Sequence, residues 1–181
     1  MKDNHLISVA EFKLLARPTS VHIDELEVEA YIREAEDIKI KPAIGITLYD
    51  KFVNADTPTS LTEQEKILFK GGTYACDCGC VTKKECAGLK RAVAYLAYAR
   101  MVAANGGMVT RTGYYQHDDD YASRVDDKNR ANARRDVQNM ADYYLGSCLE
   151  YLPIMQGTSC METRAQRGGN VRIKSIGHYT E

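Results

Sequence analysis

The chain has 181 residues, with 24 Lys and Arg against 25 Asp and Glu, and a formal net charge of −1. That length suits one domain, or one domain with arms, and buries roughly 70% of the surface its unfolded form exposes. A 44% hydrophobic and 27% charged composition excludes disorder as the default, and near-neutrality excludes a general phosphate-binding surface, although not a local patch.

No uncharged apolar run approaches the ~20 residues of a membrane span, so no membrane contact is expected. The opening MKDNHLISVAEF lacks the apolar stretch of an export signal, which predicts a cytosolic protein. Its six cysteines, Cys76, Cys78, Cys80, Cys86, Cys148 and Cys160, are then expected as reduced thiols. Twelve Tyr and no Trp supply apolar area with polar tips, a composition suited to surfaces that become partly buried.

Taken in order, Ser8 is a plausible cap for a short helix, VAEFKLLA, stopped by Pro18 after Arg17. Asp24 starts a second helix on which Val28, Ile32 and Ala35 recur at helical spacing, joined by Tyr31 and Ile38. Its outer face reads as acidic through Asp24, Glu25, Glu27, Glu29, Glu34, Glu36 and Asp37, the first of which suit the positive end of the helix dipole. Pro42 is expected to break it, with a shorter helix through AIGITLYDKFV. After a polar loop at 54–60, Thr62 caps EQEKILFK, which Gly71-Gly72 closes.

Residues 73–87 leave the helical pattern. Alternation of Tyr74, Cys76, Cys78 and Cys80, with Gly79 among them, predicts a small β-hairpin. The clearest helix spans about 88–105. Leu89, Val93, Leu96 and Met101 mark one side, and Tyr95, Tyr98 and Val102 another. A helix apolar nearly all round lies centrally in a bundle or in a subunit contact, and this one carries more apolar surface than one small bundle obviously needs. After Gly106-Gly107, residues 108–125 lack helical periodicity and read as an arm extended toward a partner. A last long helix runs from Asp126 or Asp127 to about Leu152, striped by Ala133, Val137, Met140, Ala141, Tyr144, Leu145, Cys148 and Leu152 and ended by Pro153. The basic tail 153–181 holds NVRIKSI, which suits a strand if it finds an edge. The fold expected is mainly α, a bundle of about four to five helices over 1–152 with a hairpin insertion at 73–87 and extended arms, followed by a docking tail.

Two clusters invite a chemical reading. Cys76, Cys78, Cys80 and Cys86 are four thiols within eleven residues, enough in number for tetrahedral zinc. Structural zinc sites usually pair two C-x2-C knuckles, however, and three alternating cysteines on a strand crowd one face. Reduced small apolar residues are the ordinary alternative. His117-Asp118-Asp119-Asp120 lacks the glycine and distal glutamate of a calcium loop and reads as a solvated acidic loop. No nucleophile elbow, phosphate-binding loop, dinucleotide fingerprint or zinc-protease motif is present, so no enzyme, catalytic residue or cofactor is expected. An enzyme with dispersed catalytic residues, or a zinc-stabilised interaction module, are the rival readings.

The segment LISVAEFKLLARPTSVHIDELEVEAYIREAEDIKIKPAIGITLYDKF resembles the opening of tailed-phage head–tail connector proteins. The stretches FKGGTYACDCG, AGLKRAVAYLAYARMV and VTRTGYYQHDDDYASR resemble neck-ring proteins of phages infecting Bacteroidetes, the crAss-like group among them. Together these cover about residues 6–152. The resemblance implies a virion subunit, assembled in the bacterial host cytoplasm into a ring, commonly of twelve copies, beneath the portal protein. Such a ring extends the channel through which DNA passes without sequence readout, and seats other neck or tail proteins. Expected subunit-interface residues are Tyr95, Tyr98, Tyr114, Tyr115 and Tyr121, with a core role equally open for the first two. In a ring, Glu27, Glu34 and Asp37 would face the channel and repel DNA enough to let it slide.

Overall fold

The computed structural model describes residues 5–17, 24–54, 61–75, 83–104, 108–110, 113–115 and 127–157, with backbone alone for 108–110, 113–115 and 127–130. The chain is mainly α-helical with a small antiparallel hairpin, as the sequence predicts, and it carries a second hairpin besides. Helix α1 (Val9–Leu15) starts where Ser8 accepts from the Glu11 amide while the Glu11 carboxylate accepts from the Ser8 amide. That reciprocal cap satisfies two otherwise orphaned donors. Helix α2 (Glu25–Ala35) is capped by Asp24, which accepts from the Leu26 amide.

Pro42 does not break this helix. The helical path continues through a π turn (Glu36–Ile40) into α3 (Lys41–Ile44), and the break comes at Gly45. In a regular α-helix the Pro42 ring would meet the carbonyl four residues back, and the wider turn relieves that clash. Gly45, at φ 82°, supplies the change of direction.

The same turn shifts the register of the buried face. Val28, Ile32, Glu36 and Ile40 point inward at intervals of four, wider than the 3.6-residue period. Ile38, counted with the apolar face from its spacing, is therefore 56% exposed, and Glu36, counted with the acidic outer face, is buried.

Helix α4 (Ile46–Val53) and α5 (Glu63–Lys70) are joined by stacking of Phe52 on Phe69, with centroids 5.1 Å apart. Thr62 and Glu65 form a second reciprocal cap. Strands β1 (Gly72–Tyr74) and β2 (Lys84–Cys86) then pair antiparallel, Gly72 opposite Cys86 and Tyr74 opposite Lys84. The turn of this hairpin, with Cys76, Cys78 and Cys80, lies outside the described residues.

Helix α6 (Leu89–Ala104) is the centre of the bundle, with α2 packed on one side, α7 (Asp127–Met155) on another, and α1 and α5 against its remaining surface. Leu89, Ala92, Val93, Ala94, Leu96, Ala97 and Met101 are buried, so its apolar circumference is covered within one chain and does not require a neighbour. Full burial of a Leu, Val or Met side chain is worth about 1.5–3 kcal/mol, which makes α6 the main anchor of the fold. The predicted arm contains a second hairpin that periodicity did not suggest, β3 (Met108–Thr110) against β4 (Gly113–Tyr115). Residues 116–125 lie outside the described residues, as does the tail from 158 onward.

Pro153 does not end α7 either. The helix runs through it to Met155, and Gly157 at φ 85° closes the turn. One lost amide in the last turn is tolerable because few bonds depend on it. Val137, Ala141, Leu145 and Cys148 of the predicted stripe are buried, together with Tyr151.

Candidate functional site

Three surfaces of the bundle bear on assembly or chemistry. The first is the outer face of α2. Glu27, Glu34 and Asp37 are exposed there, as the sequence leads one to expect. Each is already engaged by its own chain: Glu27 accepts from the Tyr31 hydroxyl at 2.8 Å, Glu34 from Arg100 at 3.0 Å, and Asp37 pairs with Lys41. Burial together with the Glu27 bond pushes the Tyr31 hydroxyl up to about 12. Two of the three carboxylates thus carry a nearby cation, so the local field is weaker than the residue count suggests.

Behind this face lies a buried carboxyl that sequence reading placed outside. Glu36, 1% exposed, accepts from the Leu6 amide at 2.7 Å and the Tyr49 hydroxyl at 2.9 Å, and its Oε2 lies 2.7 Å from His5 Nδ1. Burial and the neighbouring Glu36 raise the Tyr49 hydroxyl. The group fastens the N-terminal segment to the π turn and α4. The signal for it in sequence is Pro42, just beyond the far end of the π turn, which marks the irregularity.

The second surface is aromatic. Tyr95 and Tyr98 are half-buried on α6. The Tyr95 ring meets Tyr144 of α7 edge-on at 4.8 Å, Arg91 lies over Tyr144 at 5.7 Å, and Tyr143 extends the cluster while 69% exposed. Tyr95 therefore helps join α6 to α7, and Tyr143, absent from the predicted set, is the ring of this cluster most open to solvent. In the second hairpin, Tyr114 stands opposite Val109 and Tyr115 opposite Met108. Tyr121 lies outside the described residues.

The third is the base of the first hairpin. Cys86 ends β2 with its sulfur turned inward, 3.9 Å from that of Cys148 on α7, and both side chains are buried. Ala87 donates to the Ser147 hydroxyl at 3.0 Å, which itself donates to the Tyr144 carbonyl, so the hairpin end is fixed to α7 on two counts. Gly71 and Gly88, at φ 95° and 88°, cross here so closely that a Cβ on Gly88 would sit 2.4 Å from the Gly71 nitrogen.

Of the proposed zinc ligands only Cys86 falls among the described residues, and its described sulfur neighbour is Cys148. Among those residues no three metal-binding side chains gather. Beside this base opens a groove of about 500 Å³, whose walls include Lys70, Lys90, Arg91, Glu11, Glu85 and Cys86. Lys90 is bound to Glu11, so the groove is mixed in charge rather than strongly cationic. Among the described residues no helix is long and apolar enough to cross a membrane.

No curated protein and no solved structure matches the chain. One family model does, over residues 40–155, from the last residue of the π turn to the last residue of α7. That range holds α6, α7 and both hairpins and leaves α1 and α2 outside it. Covering well over half of the chain, the match shows that the protein belongs to the family of unknown function DUF6712.

Proposed function

We propose that the chain is a structural subunit of the phage neck, acting by assembly into a ring between portal and tail that lengthens the DNA channel. The observation that carries this reading is the second hairpin. It is inserted between the two longest helices of the bundle, and among the described residues each of its strands is paired on one side only. Unpaired strand edges are sites for another chain to add to. Support also comes from the exposed acidic face of α2, suited to a channel wall past which DNA slides, and from the resemblance of about residues 6–152 to connector and neck-ring proteins. Heterologous contacts that close on themselves would generate the ring.

Deleting residues 108–124 tests this. The expected product is a folded helical monomer by circular dichroism that no longer forms rings when mixed with portal protein, as read by mass photometry and electron microscopy. An unfolded deletion variant would make the segment part of the core. A full-length chain that stays strictly monomeric and ignores portal would overturn the reading as a whole.

A further inference from the structure

Cys86 and Cys148 lie 62 residues apart in sequence with sulfurs 3.9 Å apart. Their surroundings favour sulfur chemistry. Cys86 lies just upstream of the 16-residue helix α6, separated from its first residue, Leu89, by Ala87 and Gly88. A thiolate at that place lies near the positive end of a helix. The hydrogen bond shared with Cys148 lowers the Cys86 thiol from its ordinary value in spite of burial, while the same bond and burial raise Cys148. Of the pair, Cys86 and not Cys148 borders the groove, which makes Cys86 the first sulfur an incoming small disulfide meets. Lys70 and Arg91 lie on the same wall, and Cys86, only 1% exposed, sits at the back of it.

We propose that Cys86 and Cys148 form a reversible disulfide by exchange with a low-molecular-weight disulfide entering this groove, stapling the first hairpin to α7. The Cys86 thiolate attacks one sulfur of the small disulfide, releasing one small thiol and leaving a mixed disulfide on Cys86. Cys148 then gives up its proton and attacks the Cys86 sulfur, expelling the second small thiol. Two protein thiols are oxidised and one small disulfide is reduced to two thiols. The protein sulfurs must close from 3.9 Å to the roughly 2.05 Å of an S–S bond, a displacement on the scale of side-chain rotation. This inference does not depend on the neck reading.

The test uses the full chain with the other four cysteines replaced (C76S, C78S, C80S, C160S), incubated folded with oxidised glutathione. Expected are loss of both thiols without a retained adduct, a tryptic cross-link between the Cys86 and Cys148 peptides, a rise in Tm of roughly 5–10 °C, and full reversal by dithiothreitol. A stable adduct on Cys86 with Cys148 still free would overturn the proposal. So would two unreacted thiols, or a cross-link that appears only in urea. If the quadruple variant does not fold, the same peptide map on the native chain decides, by whether Cys86 joins Cys148 or another cysteine.

Discussion

Glu36 shows how much one side chain can hold in this fold. Its carboxyl is met by the Leu6 amide and the His5 imidazole from one stretch of chain and by the Tyr49 phenol from another. Truncating it leaves the Leu6 amide and the Tyr49 hydroxyl buried without that acceptor, and an unpaired buried polar group costs about 1–3 kcal/mol. E36A is accordingly expected to lower unfolding stability by about 3 kcal/mol in urea titration, whereas E34A, on the exposed face, stays within about 0.5 kcal/mol. Equal losses for the two would refute the inward assignment of Glu36.

Glu65 gives a pH-dependent expectation at the same scale. The Lys51 hydrogen bond, opposed by some desolvation and helped by the Thr62 cap, holds its carboxyl below the usual range. A folded value below the unfolded one contributes stability above pH of about 4.3, and that contribution disappears as pH falls through the depressed folded value. E65Q keeps an oxygen acceptor for the Thr62 amide but removes the titration. Between pH about 5 and 3 the Tm of the native chain should therefore fall more steeply than that of E65Q, and parallel curves would show the shift to be energetically empty.

At the scale of elements, the helix starts were legible because caps are local. Ser8, Asp24 and Thr62 each act within three residues of themselves, and Gly71 closes α5 where it was expected. The stops at Pro42 and Pro153 were misread for a shared reason. Proline's cost depends on the backbone geometry around it, which a π turn or a last helical turn changes. That extra turn also carried Ile38 out and Glu36 in, an error any fixed 3.6-residue count must make. Glycine substitutions separate local from crossing effects. Gly45 has φ 82° and open space around its Cβ position, so G45A should cost about 1–2 kcal/mol, for strain alone. Gly88 has nearly the same φ, but its added Cβ would strike the backbone of Lys70 and Gly71. G88A is expected to cost about 2–4 kcal/mol and to loosen the first hairpin, measured by thermal unfolding and by exchange of the β1 and β2 amides. A smaller loss for G88A than for G45A would contradict the crossing.

For the whole molecule, α6 was recognisable as central from its composition. That α2 and α7 of the same chain would cover it was not, because spacing along one helix does not say which other helix packs on it. Cys86 with Cys148, and Arg17 with Asp136 at 2.6 Å, are pairings of sequence-distant residues that no spacing rule reveals. The first part of α7 is little covered by the rest of the described chain. Ala131, Asn132, Ala133, Arg135 and Asp136 are exposed, and regular burial begins only at Val137. An exposed ion pair such as Arg17 with Asp136 adds about 0–1 kcal/mol, too little to hold two helical turns alone. Local opening follows local burial, so amides at 132–137 should exchange well before those at 141–152, with the α6 amides slowest. Uniform protection along α7 in the free chain would contradict that gradient. The neck proposal adds a further condition, because these turns follow the arm in sequence. Mixing with portal protein should raise protection at 131–136 and in β3 and β4 while leaving α6 unchanged. Protection confined to α6 and its core neighbours would place assembly elsewhere on the bundle and remove the arm from the contact.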